Sequence, residues 1–88
     1  MGPLAGVRIV EIAGIGPGPF AAMMLADMGA DVIKVEHPDG GDTLRQWPPI
    51  TDGYSENFAS VNRNKRSVTL DLKDEADRAK ARELVLSA

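Results

Sequence analysis

The chain has 88 residues, 13 acidic and 10 basic, for a net charge of −3, and it contains no cysteine. The acidic surplus argues against nucleic acid as a partner, because phosphate backbones are bound by clustered Lys and Arg. The missing cysteines exclude disulfides, thiolate catalysis and cysteine metal sites.

No apolar run approaches the roughly 20 residues that a membrane-spanning helix needs. Met1-Gly2-Pro3-Leu4 lacks the basic start and apolar stretch of a signal peptide. A cytoplasmic protein with no nucleic-acid or membrane partner is expected.

In chain order, Val7–Ile12 is compact and β-branched, the pattern of a buried strand. Gly14-Ile15-Gly16-Pro17-Gly18-Pro19 follows as a tight turn. Phe20, Met23, Met24 and Met28 then recur at helical spacing, with Gly29 placed to end the helix. Asp31–Val35 predicts a second strand. Strand, glycine turn, helix and strand within about thirty residues make a βαβ unit, with parallel pairing and a right-handed crossover.

From His37 to Ile50, Pro38, Gly40, Gly41, Pro48 and Pro49 break any periodicity and predict a long loop. Ser55–Val61 predicts a short helix capped by Ser55, with Phe58 pointing inward. Ser67–Leu72 alternates polar and apolar residues as a half-exposed strand does. Asp74–Ser87 predicts a helix led by acidic residues, with Ala76, Ala79, Leu84 and Val85 as its apolar stripe. A helix after a strand in an α/β pattern is expected to cross to another parallel strand, and none follows. The fold class expected is therefore α/β: a Rossmann-like parallel βαβ segment, a truncated part of a larger domain.

The glycine turn invites comparison with dinucleotide-binding folds, where backbone N–H groups meet an anion at a helix N-terminus. Glu36 lies about 20 residues on, where such folds place the acid that binds ribose. Pro19, however, occupies the third glycine position of that fingerprint. Pro17 also removes a donor where a pyrophosphate would bind. The plainer alternative is a tight turn whose prolines fix the start of the helix.

Four stretches carry a wider resemblance: Pro3 to Glu11, Gly16-Pro17-Gly18-Pro19, Met28 to Glu36, and Asn64-Lys65-Arg66-Ser67 through Leu70-Asp71-Leu72-Lys73. Gly41-Asp42 with Arg45 adds a smaller match. In order and spacing they resemble the family III CoA-transferases, a group that includes formyl-CoA and carnitine CoA-transferases and α-methylacyl-CoA racemase.

The resemblance implies that residues 1–88 are the N-terminal, incomplete part of a CoA-binding Rossmann-like domain. It further implies an interlocked homodimer at full length, acyl-CoA as substrate, no tightly bound cofactor and no metal. The catalytic Asp would lie beyond these residues, so no catalytic residue is expected in this chain and the chain alone is expected to be inactive.

What the resemblance places here is part of the CoA site. Ile15, Gly16 and Pro17 match the segment bordering the thioester and pantetheine end. His37 stands where the family often has an Arg that meets a CoA phosphate. A histidine offers neither a permanent charge nor a bidentate fork, and a solvated loop histidine is the alternative. Leu70 and Lys73 match positions that contact the adenine and its phosphates, and Lys73 is a point charge just after a strand.

Arg63, Lys65 and Arg66 are either a solvated face or a source of positive potential for anionic CoA, with Asn64 and Arg66 anchoring the loop. Met23, Met24 and Met28 are expected in the core. Trp47 either caps the site's mouth or packs within its loop.

The transferase branch uses a carboxylate nucleophile that takes the acyl group and then holds CoA as a thioester. The racemase branch removes and returns the proton alpha to the thioester. The turn at 14–19 looks more like the racemases, whereas the loop Gly41–Pro49 looks more like the transferases, the branch expected here. A third reading is a non-catalytic fragment, or a short subunit completed by a partner chain.

Overall fold

The computed structural model describes residues 2–12 and 17–88. In chain order its elements are strand β1 (Arg8–Glu11), helix α1 (Pro17–Asp27), strand β2 (Asp31–Glu36), a 3-10 turn (Thr43–Gln46), strands β3 (Ile50–Thr51) and β4 (Tyr54–Ser55), helix α2 (Glu56–Ser60), strand β5 (Lys65–Thr69) and helix α3 (Glu75–Ser87). β1, β2 and β5 pair in parallel with β2 central, Arg8 lying opposite Asp31 and Val32 opposite Lys65. β3 and β4 form a separate antiparallel hairpin. The class is the α/β one expected, with the parallel pairing of a βαβ unit.

Side chains alternate faces along a strand. Val32 of β2 packs with Ala22, Ala26 and Ala30, joined by Ile9 and Leu25. Val35, on the other face, packs with Leu70 and Ala81, joined by Val10, Val68 and Leu84. α1 and α3 therefore cover opposite faces, and β2, central in the sheet, is buried from Val32 to Glu36. This explains why β2 reads as an apolar run with embedded charges rather than as a half-exposed strand.

Helix α1 starts earlier than the sequence reading placed it. Pro17, Gly18 and Pro19 are its first turn rather than a connecting turn. Proline's fixed φ suits that position, and its missing N–H would have had no helical acceptor there. The far end closes with two backbone bonds, from the Ala30 N–H to the Leu25 carbonyl (3.2 Å) and from the Gly29 N–H to the Ala26 carbonyl (3.0 Å). That pair is a Schellman cap, and it requires the left-handed conformation that Gly29 adopts at φ 101°.

Only one stripe of α1 faces the sheet, so Met23 is buried while Met24 and Met28 are largely exposed. The expectation of three core methionines holds for the first alone. The stripe on α3 also differs from the one expected. Ala81 is buried and Leu84 half-buried, while Ala76, Ala79 and Val85 face solvent. The Asp77 carboxylate accepts the Asp71 N–H at 2.9 Å, which turns the 77-81-84 line toward the sheet. The predicted short helix is present, with Ser55 as its cap and Phe58 half-buried.

Candidate functional site

In open parallel sheets ligands bind outside the carboxyl ends of the strands. Here those ends are Glu11, Glu36 and Thr69. Beside them lies a cleft of about 260 Å³, walled by Ile12, Val35, Glu36, His37 and the segment Leu70-Asp71-Leu72-Lys73. A second hollow of about 220 Å³ lies on the other side of His37 and reaches Gly40, Gly41, Arg45 and Thr69. A larger hollow, about 440 Å³, opens instead between α3 and the sheet, at Arg8, Lys80 and Ser87. The strand-end cleft is the candidate site, because it lies at the carboxyl ends of the parallel strands.

Three residues expected at the site meet in this cleft: His37, Leu70 and Lys73. His37 follows β2, and its Nδ1 accepts the Asp39 N–H at 2.9 Å. The proton of the neutral ring is thus on Nε2, which lies 3.8 Å from an Asp71 carboxylate oxygen. Leu70 contributes an apolar wall, its side chain fixed in the core against Val35 and Ala81. Lys73 is held at its backbone, where its N–H donates to Asp71 Oδ1 at 3.0 Å. Its side chain is exposed, and among the described residues its ammonium has no ion-pair partner. Pro17 is exposed at the start of α1 and is not among the residues that wall this cleft. Ile15 and Gly16 lie outside the described residues.

The basic cluster is committed elsewhere. Arg63 pairs with Asp27 at 2.6 Å, Arg66 with Asp31 at 2.7 Å, and Lys65 with Glu11 at 2.5 Å. Hydrogen bonds from Arg63 and Asn64 lower the Asp27 pKa, and one from Arg66 lowers that of Asp31. These charges cancel locally, which corrects the reading of the cluster as a source of positive potential. Asn64 and Arg66 do anchor this part of the chain, to Asp27 and Asp31 respectively.

Beneath the loop that follows β2 lies an ionic network that periodicity could not show. Lys34 Nζ sits 2.7 Å from Glu11 and 2.9 Å from Asp42, and all three side chains are almost wholly buried. Burial opposes the Lys34 charge, but the two carboxylates prevail and raise its pKa. For Lys65 burial prevails and lowers the pKa, despite the bond to Glu11.

Glu36 accepts two parallel bonds from Arg45, at 2.6 and 2.7 Å, together with the Asp42 N–H and the Ser67 hydroxyl. Arg45, the dominant partner, holds the Glu36 carboxyl down to about 2. A carboxylate engaged in this way has no room for a ribose, so the dinucleotide reading loses its acid. The available signal was the pair Lys34 and Glu36 within a buried strand, since such charges are seldom buried without partners.

Residues 4–88 match the profile of CoA-transferase family III. The succinate–glutarate CoA-transferase of Agrobacterium fabrum is 47% identical over 93 residues, covering 98% of this chain and 23% of that protein. The succinyl-CoA:glutarate CoA-transferase of Mus musculus is 52% identical over 75 residues, covering 84% of this chain and 17% of that protein. A solved CAIB/BAIF family protein from Brucella suis superimposes with a TM-score of 0.91 at 43% identity, covering 99% of this chain and 24% of that one. The chain thus spans about a fifth of the length of these curated relatives. On a match that runs through nearly all of its residues, the chain belongs to CoA-transferase family III.

Proposed function

We propose that this chain forms the N-terminal, CoA-binding part of an enzyme that moves CoA between carboxylic acids. The observation that carries this reading is the cleft itself. It joins His37, Leu70 and Lys73, two of them more than thirty residues from the first, at the carboxyl ends of β2 and β5. An apolar wall at Leu70 and Leu72 suits the flat face of an adenine. The unpaired Lys73 ammonium suits a phosphate. The Asp71 carboxylate beside His37 weakens that histidine as an anion ligand, so Lys73 carries most of the attraction.

Ile15, Gly16 and Pro17 would border the thioester end of the same ligand. The acyl-accepting aspartate lies outside these residues, and at natural length the enzyme works as a homodimer with CoA thioesters of dicarboxylic acids as substrates. The names of the two transferase relatives support that substrate class. The test is to incubate the natural-length enzyme with succinyl-CoA and glutarate, and to follow glutaryl-CoA by mass. Its appearance supports the proposal. Absence of transfer to any dicarboxylate, with exchange of the proton alpha to a 2-methylacyl thioester, would place the enzyme in the racemase branch instead.

A further inference from the structure

The loop after β2 turns back sharply beside the cleft, and its position is set from below. At its start, the Gly41 N–H donates to the His37 carbonyl at 3.0 Å, closing a tight reversal. The fastening lies just beyond. Arg45 Nε and one terminal nitrogen grip the two oxygens of Glu36, the residue immediately before His37. The Asp42 N–H adds a bond of 2.9 Å to the same carboxylate, and the Asp42 side chain reaches Lys34 at 2.9 Å.

Gly41 is threaded between these groups. A Cβ there would come within 2.7 Å of Glu36 Oε1 and 3.1 Å of the Arg45 side chain, at a φ of 73° that disfavours any other residue. The Arg45 guanidinium carbon also stacks 4.0 Å from the centre of the Phe58 ring, which braces it from α2. Among the described residues Arg45 meets Glu36, Asp42 and Phe58, and it touches the cleft of His37, Leu70 and Lys73 only through its Glu36 wall.

We propose that Arg45 is a positioning residue: through Glu36 it fixes His37 and the reversal at residues 38–41, and so sets the nucleotide end of the CoA cleft without touching the ligand. This rests on the cleft being the CoA site. The guanidinium fork is the required feature, because one ammonium cannot satisfy both carboxylate oxygens in that plane.

The test compares Arg45→Lys, which keeps the charge and loses the fork, with wild type in the natural-length enzyme. A second variant, Glu36→Gln with Arg45→Gln, removes the pair without leaving a lone buried charge. KM is measured for an acyl-CoA and for the matching acyl-pantetheine, which lacks the nucleotide. The expected result is a rise in KM for acyl-CoA of about tenfold in either variant, with kcat within about twofold and the acyl-pantetheine constants unchanged. General loss of structure would degrade both substrates together, and that outcome overturns the proposal. So does an unchanged KM for acyl-CoA in a folded variant. Lys73→Ala serves as the control for the site. If it weakens CoA binding while the Arg45 variants do not, positioning fails and the CoA assignment stands; if it has no effect, the CoA assignment itself fails.

Discussion

Glu36 shows how one side chain can organise a site. It sits at the end of a strand buried on both faces, where an unpaired carboxylate would be costly, and Arg45 supplies a fork that matches both of its oxygens. Its folded pKa of about 2 lies below the ordinary 4.5. The pair's stabilisation is therefore fully present above about pH 4.5 and is lost as pH falls from there toward 2. Allowing for the partial exposure of Arg45, the loss is about 2 kcal/mol. Urea denaturation of the 88-residue chain across that range should show falling stability, and Glu36→Gln should flatten the slope. A slope of equal size in the variant would assign the effect to other carboxylates.

At the same scale, His37→Arg places a permanent charge and a second donor at the cleft, where wild type has a ring faced by Asp71. CoA affinity at pH 8 is expected to rise several-fold, and calorimetry would detect it. His37 and Lys73 were visible as candidates through the resemblance to the CoA-transferases, Lys73 also as a point charge just after a strand. The sequence could not reveal that Arg63, Lys65 and Arg66 were already neutralised, since their partners Asp27, Glu11 and Asp31 are distant in sequence and meet them only in the folded chain.

Among the elements, those with strong local signals were legible. The cap at Gly29, the Ser55 cap and the acidic start of α3 each depend on a few neighbouring residues, and each is present. Asp74 accepts the Asp77 N–H at 3.0 Å, so Asp74→Ala should cost about 1 kcal/mol, read as a lower urea midpoint. An unchanged midpoint would mean that α3 is held by its contacts with the sheet alone.

The buried face of α3 was not legible, because alanines at 76, 79 and 81 look alike in composition. Only the Asp77 bond to the Asp71 N–H, a tertiary feature, selects the line through Ala81. The loop after β2 was likewise read as irregular. Its 3-10 turn is set by Asp42, whose carboxylate accepts the Leu44 N–H while also meeting the buried Lys34.

For the whole molecule, two apolar clusters on opposite faces of a three-stranded sheet make a small core, and a chain of this size buries a modest share of its surface. What distinguishes the fold is the polar layer on the α1 side, where Glu11, Lys34, Asp42 and Lys65 occupy space that other α/β cores fill with aliphatic side chains. That layer ties all three strands to the loop after β2, and the loop walls the hollow on the other side of His37 from the cleft. Fold and site are therefore coupled through charge pairing as much as through apolar packing.

The most direct test of the CoA cleft is calorimetric titration of the natural-length enzyme with free CoA at low salt, beside its Lys73→Ala variant. Micromolar binding that weakens with added salt, and that weakens about tenfold in the variant, is the expected result. Equal affinity in the two proteins would contradict it and would move the nucleotide away from the ends of β2 and β5.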